Sequence, residues 1–144
     1  MAGRIAVIGS NMIDLVTYVA RMPGKGETVE ALSFEMGHGG KGANQAVAAA
    51  KLGGDVLMIT KVGDDMFADD TIKNLESFGI GTRHVGKAPG RSSGVASIMV
   101  EPSGENSILI VKGAKCRPFA GRYRAGRRRP QILPPDPAAI GDSG

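Results

Sequence analysis

The sequence has no tryptophan and one cysteine, Cys116. A single thiol excludes both an internal disulfide framework and a cysteine zinc cluster. Aromatic residues amount to 4%, too few for a platform that stacks single-stranded bases. Nowhere do eighteen apolar residues follow one another, so no transmembrane helix is expected. The opening MAGRIAVIG meets Gly9 before a secretory apolar stretch has room to form. These absences point to a soluble cytoplasmic protein. What is abundant is glycine, 22 of 144 residues, about double the ordinary share of roughly 7%. Hydrophobic residues at 42% and charged residues at 22% are enough for a globular core.

The formal net charge is +4, a sign that directs attention to nucleic acid or an anionic surface. Its distribution confines that reading to the tail, where nucleic-acid binding through the arginines stays an alternative. Residues 1–114 carry 11 basic and 12 acidic side chains, a net of −1, whereas residues 115–144 carry 7 and 2, a net of +5. The last thirty residues also hold five of the eight prolines and show no helical or alternating period. Arg127-Arg128-Arg129 and Pro134-Pro135-Asp136-Pro137 have the composition of a basic tail without a packed core. The chain therefore divides into residues 1–114 and 115–144.

Hydrophobic periodicity within 1–114 predicts an α/β protein. Residues 4–9 read as a buried first strand, 14–19 as a second, and 28–36 as a weakly alternating third. Residues 43–52 are Ala-rich and closed by Gly53-Gly54, a helix pattern. Ala43, Ala46, Val47 and Ala50 share one face of it. A buried strand over 55–60 and a loop at 63–65 follow. A helix over 66–78 has Phe67, Ile72, Leu75 and Phe78 as its apolar positions and is stopped by Gly79. A short strand over 82–85 precedes a hairpin made of 94–100 and 107–111 around the turn at 102–104. His38 and His84 fall in predicted loops.

Between the third strand and the first helix stands GHGGKG (37–42), a match to G-x-G-x-x-G that alone is a weak dinucleotide signal. It is not a P-loop, because Gly42 and Ala43 follow Lys41 where Ser or Thr is required. Glycines at a helix N-terminus let backbone N–H groups approach a ligand under the helix's partial positive charge. Lys41 and Asn44 stand at that start, able to donate to polyol oxygens. The residues leave two other readings open: a tight turn with no ligand, and an NAD-binding module using Gly37, Gly39 and Gly42. The second lacks the acidic residue that closes a strand about 20 residues on in such modules.

The string GGKGANQAVAAAKLG (39–53) resembles the N-terminal signature of the ribokinase-like carbohydrate kinases, the PfkB family. IGSNMID (8–14), PGKGETV (23–29), TKVGDDMFADDTIKNLESFGI (60–80) and SSGVASIMVEPSGENSILIVKGA (92–114) match further family segments in order. The resemblance is collinear over 4–114 and is specific to ribokinases and deoxyribokinases within the family. It implies a Rossmann-like α/β/α core, here in its N-terminal half, with a small β-sheet lid built from strands near 14–19, 29–36, 94–100 and 107–111. It also implies phosphorylation of a pentose 5-hydroxyl by ATP with Mg2+ and a monovalent cation such as K+, and a homodimer through the lid. By motif position it implies Asp14, Gly40, Lys41 and Asn44 as the pentose-binding set, with Met12 beside them. Asp14 offers two acceptor oxygens to a pair of hydroxyls. Ribokinases carry Asn where Met12 stands, and a methionine gives a sugar hydroxyl no partner, which predicts a preference for 2-deoxyribose. The GDD loop at 63–65 takes no ligand role.

The family's catalytic Asp lies in a later GAGD motif that is absent here, and AIGD (139–142) has neither a strand before it nor helix length after it. The chain alone is therefore expected to be inactive and, with sheet edge uncovered, a poor folder. Residues 120–131, back-translated and read one base on, can spell PEDIERAAEDLR, which resembles the helix that follows this point in ribokinases. Residues 115–144 accordingly read as a frameshift product, and no nucleic-acid partner and no membrane are inferred from their charge.

Overall fold

The computed structural model describes residues 4–116. Their elements are β1 (Arg4–Ile8), β2 (Met12–Tyr18), β3 (Ser33–Gly39), α1 (Lys41–Lys51), β4 (Asp55–Val62), α2 (Met66–Ser77), β5 (Gly81–Lys87), β6 (Val95–Val100) and β7 (Asn106–Val111), followed by a 3-10 turn (Gly113–Cys116). β1, β4 and β5 form a parallel sheet in the order β1-β4-β5. β2, β3, β6 and β7 form a second sheet in the order β3-β2-β6-β7. In it β2 runs antiparallel to β3 and parallel to β6.

Parallel strands need crossover connections, and α1 and α2 provide them. β4, the central strand, has both neighbours and buries Val56, Met58, Ile59, Thr60 and Val62. Ala43 and Ala46 of α1 pack with Val56, Met58, Leu75 and Ile80 in one cluster, with Val47 and Ala50 partly buried against it. The small alanine faces let the helix approach the sheet closely. Burial of each larger member contributes about 1.5–3 kcal/mol.

Three expectations change here. β1 is mostly exposed, with Ile5 41% and Ile8 66% accessible. An apolar run identifies a strand, but among the described residues β1 pairs only with β4, and burial needs neighbours. The buried face of α2 is Ala68, Thr71 and Leu75, while Phe67 and Ile72 are half-buried and Phe78 is an exposed C-cap. β3 begins at Ser33 and runs through His38 to Gly39, not over 28–36. The root of β2 needs ladder partners, and Met12, Ile13 and Asp14 pair with Gly39, His38 and Gly37.

The chain leaves the first sheet for the second near the C-terminal end of β4 at residues 9–11 and 92–94, and returns at Gly40 and after β7. At the second crossing Asp65 caps α2 by accepting from Phe67 N (3.2 Å). The same carboxylate accepts from Ser93 N (2.6 Å) and Ser93 Oγ (2.8 Å). Gly63 N donates to Ser93 Oγ (3.0 Å), and Ala114 N to Ser92 O (2.8 Å). Asp65 therefore serves a helix and a crossing at once. Loss of the cap and of charge-assisted bonds makes Asp65→Ala costly, by roughly 3 kcal/mol. Urea denaturation checks this, with Asp65→Asn, which keeps an acceptor, expected to lose less.

Candidate functional site

The corner where β2 leaves the parallel sheet is built by backbone contact. Gly9, after β1, lies against Gly42, in the first turn of α1: a Cβ on Gly42 would fall 2.6 Å from the Gly9 Cα. Gly40, the N-cap of α1, has φ +98° and makes no side-chain cap hydrogen bond, and a Cβ on it would come within 2.7 Å of the Asn11 Cα. Only glycine combines that conformation with that proximity. Ser10 O accepts from Ala43 N (3.0 Å), so a carbonyl from the crossing satisfies one of the free amides of the helix start.

Asp14, the third residue of β2, is half-buried. Its carboxylate occupies the space where a side chain on Gly39 would stand. Burial pushes its carboxyl above the usual range, opposed by the charge of His38. Met12 lies two residues earlier, on the same face by the strand's period of two, and is buried beside Gly94. Lys41 and Asn44 are exposed at the start of α1. Chain connectivity thus brings Met12, Asp14, Gly40, Lys41 and Asn44 to one corner, with a carboxylate acceptor on one side and a positive helix end with two donors on the other. That arrangement suits a polyol. A cavity of about 290 Å³ lies away from this corner, between Thr17, Val19, Met99 and the loop at 23–31.

Several sequence assignments are revised. Gly37 and Gly39 are strand residues paired with Asp14 and Met12, so the hexapeptide is not the strand-to-helix turn of a dinucleotide fingerprint. His38 belongs to β3, with Nε2 3.2 Å from Asp70 Oδ2 on α2 and Nδ1 buried without a hydrogen-bond partner. His84 lies in β5, and its Nε2 accepts from Arg83 Nε (3.2 Å). Asp65 of the GDD loop is engaged with α2 and Ser93. Sequence reasoning missed Asn11 and Thr60, buried side chains joined across 49 positions; no local pattern marks such a pair.

Among the described residues no group of three or more His, Cys, Asp or Glu could hold a metal ion. Among them also, no helix is long and apolar enough to cross a membrane. The expected frameshifted tail and its arginine run lie outside the described residues.

Residues 2–117 match the pfkB family carbohydrate kinases. A deoxyribokinase of Salmonella typhi is 67% identical over 110 residues, 76% of this chain and 36% of that protein. A ribokinase of Bacillus subtilis is 47% identical over 110 residues, covering 76% and 37%. Among solved structures, Arabidopsis thaliana ribokinase complexed with ribose and ATP superimposes with a TM-score of 0.72 at 34% identity, over 79% of this chain and 37% of that one. The chain thus spans little more than a third of the length of these curated relatives. The mixed α/β architecture is the N-terminal part of the ribokinase fold, and the chain belongs to the pfkB family of carbohydrate kinases.

Proposed function

We propose that the chain is the sugar-binding N-terminal part of a cytoplasmic pentose kinase that uses ATP to phosphorylate the 5-hydroxyl of 2-deoxyribose or ribose. The observation that carries this is Asp14 seated over Gly39 at the same corner as the start of α1. Asp14 accepts from two sugar hydroxyls, and Lys41 and Asn44 donate to others. The catalytic base of the resembled kinases sits in a GAGD motif, which this sequence does not contain, so the chain alone binds sugar weakly and does not turn over. ATP-dependent ADP formation with 2-deoxyribose, assayed on the 144-residue chain and on the protein read from frame-corrected DNA, tests the reading. Turnover by the chain alone overturns the inactivity, and none by either overturns the kinase. The frameshift itself is tested by the coding DNA: an early stop, or no kinase-like sequence, in the shifted frame rejects it.

The second sheet acts as the lid and as the contact between two copies. Register places Phe34, Met36, Leu109 and Val111 on one face of it, and all four are exposed.

Met12 sets the preference for the 2-deoxy sugar, because a 2-hydroxyl against its thioether has no partner, at a cost of about 1–3 kcal/mol. Met12→Asn is expected to move the ratio of ribose to 2-deoxyribose affinity about tenfold toward ribose. Titration of the chain with each sugar, followed by NMR, measures it; an unchanged ratio removes Met12 from specificity.

A further inference from the structure

We propose that Asn11 and Thr60 are positioning residues of the sugar site, fixing the angle at which β2 leaves the parallel sheet and so where Met12 and Asp14 stand against α1. The proposal rests on the pentose-binding reading for its functional consequence and on the hydrogen bonds for its geometry.

The chain passes from β1 to β2 in three residues, 9–11. So short a crossing has no regular structure of its own to set its course. Asn11 is only 2% exposed. Its Nδ2 donates to Thr60 Oγ1 (2.7 Å) and to Lys61 O (3.0 Å). An amide nitrogen presents two N–H groups at a fixed angle, so one side chain holds a hydroxyl and a carbonyl on consecutive residues of β4. Thr60, also 2% exposed, donates in turn to Gly9 O (2.7 Å). The loop Asn11 to Thr60 to Gly9 therefore closes on both ends of the crossing. From the other side, the crossing is held by Ser10 O on Ala43 N and by Gly40 against the Asn11 backbone.

An apolar pair would fill this space without burying polar atoms. What the polar pair adds is direction, since hydrogen bonds fail with angle whereas apolar contact does not. Direction matters because Asp14 lies three residues beyond Asn11, on the strand that the crossing leads into, and a two-oxygen contact with a diol tolerates displacements of only about 0.5 Å. Neither Asn11 nor Thr60 is assigned to the sugar; they act through β2.

The test compares Thr60→Val, which keeps shape and loses the hydroxyl, with Thr60→Ser, which keeps the hydroxyl. Hydrogen exchange on the 144-residue chain follows the amides of Ile13, bonded to Gly94 O (2.8 Å), and Ala43, bonded to Ser10 O, with the amides of α2 as reference. Thr60→Val is expected to speed exchange at Ile13 and Ala43 at least tenfold with α2 unchanged, and to weaken 2-deoxyribose binding at least tenfold. Thr60→Ser is expected to restore both. A uniform rise at all amides, no change, or a Ser variant as impaired as the Val variant overturns the proposal. If the unmodified chain binds neither ribose nor 2-deoxyribose, the pentose reading fails for this chain, and the exchange pattern still decides whether the pair fixes β2.

Discussion

Gly42→Ala is expected to destroy the cooperative fold of the described region. The added methyl would stand 2.6 Å from Gly9 Cα and 2.7 Å from both Gly9 C and Ser10 N, all backbone atoms that no rotamer change can move. Overpacking typically costs about 1–3 kcal/mol and more where nothing yields, against a total of roughly 5–15 kcal/mol for a domain. Gly37→Ala supplies the contrast from the same hexapeptide. Its Cβ would meet nothing within 4 Å, so its stability should stay within about 0.5 kcal/mol of the parent. Urea midpoints for the two variants separate a steric requirement from a motif label, and equal midpoints would sink the argument.

Asp14→Ala should abolish saturable pentose binding, while Asp14→Asn should stabilise the protein at neutral pH. Two charge-assisted hydrogen bonds at about 1.5–3 kcal/mol each correspond to at least a hundredfold in affinity. The stability effect has the opposite sign for a stated reason. Burial holds the Asp14 carboxyl above its ordinary value of 3.8, so the folded chain takes up the proton more readily than the unfolded one. The stability linked to Asp14 is therefore full below that ordinary value and is lost as pH rises through the raised one. At pH 7 the charged carboxylate is a liability, and a neutral Asn removes it. Thermal melts at pH 7 should show Asp14→Asn above the parent, and the advantage should vanish below about pH 4. A variant less stable at pH 7, or one that binds pentose like the parent, contradicts the assignment.

α1 and β4 were readable from local sequence because an alanine period closed by Gly53 and an apolar run each have one good solution. The hairpin of β6 and β7 was readable for the same reason, from the turn at 102–104. β3 was not. Gly37 and Gly39 look like turn residues, and only the pairing demanded by Met12 and Asp14 on β2 makes them strand. The exposure of Ile5 and Ile8 was hidden because composition carries no account of which neighbours a strand finds. His38 looked isolated since its partner, Asp70, is 32 positions away on α2. The candidate site was legible through motif resemblance, which named Asp14, Gly40, Lys41 and Asn44. The Asn11 and Thr60 pair, with no motif, had to be seen in three dimensions.

Among the described residues the two sheets share no hydrogen-bonded strand pair, and the second is tied to the first layer at the crossings beside the end of β4 and by His38 of β3 against Asp70 of α2. This makes the second sheet a lever with its fulcrum at the sugar corner. β2 extends roughly 20 Å from Met12 to Tyr18, and Asp14 stands about 7 Å along it. A tilt of ~0.05 radian then carries the far end about 1 Å while Asp14 moves by only about 0.35 Å, within the tolerance of its contact. Contacts made at the distal end, by the loop at 20–32 or the turn at 102–104, reach Asp14 reduced about threefold, so that end is free to change in sequence while the acceptor stays in register with the helix.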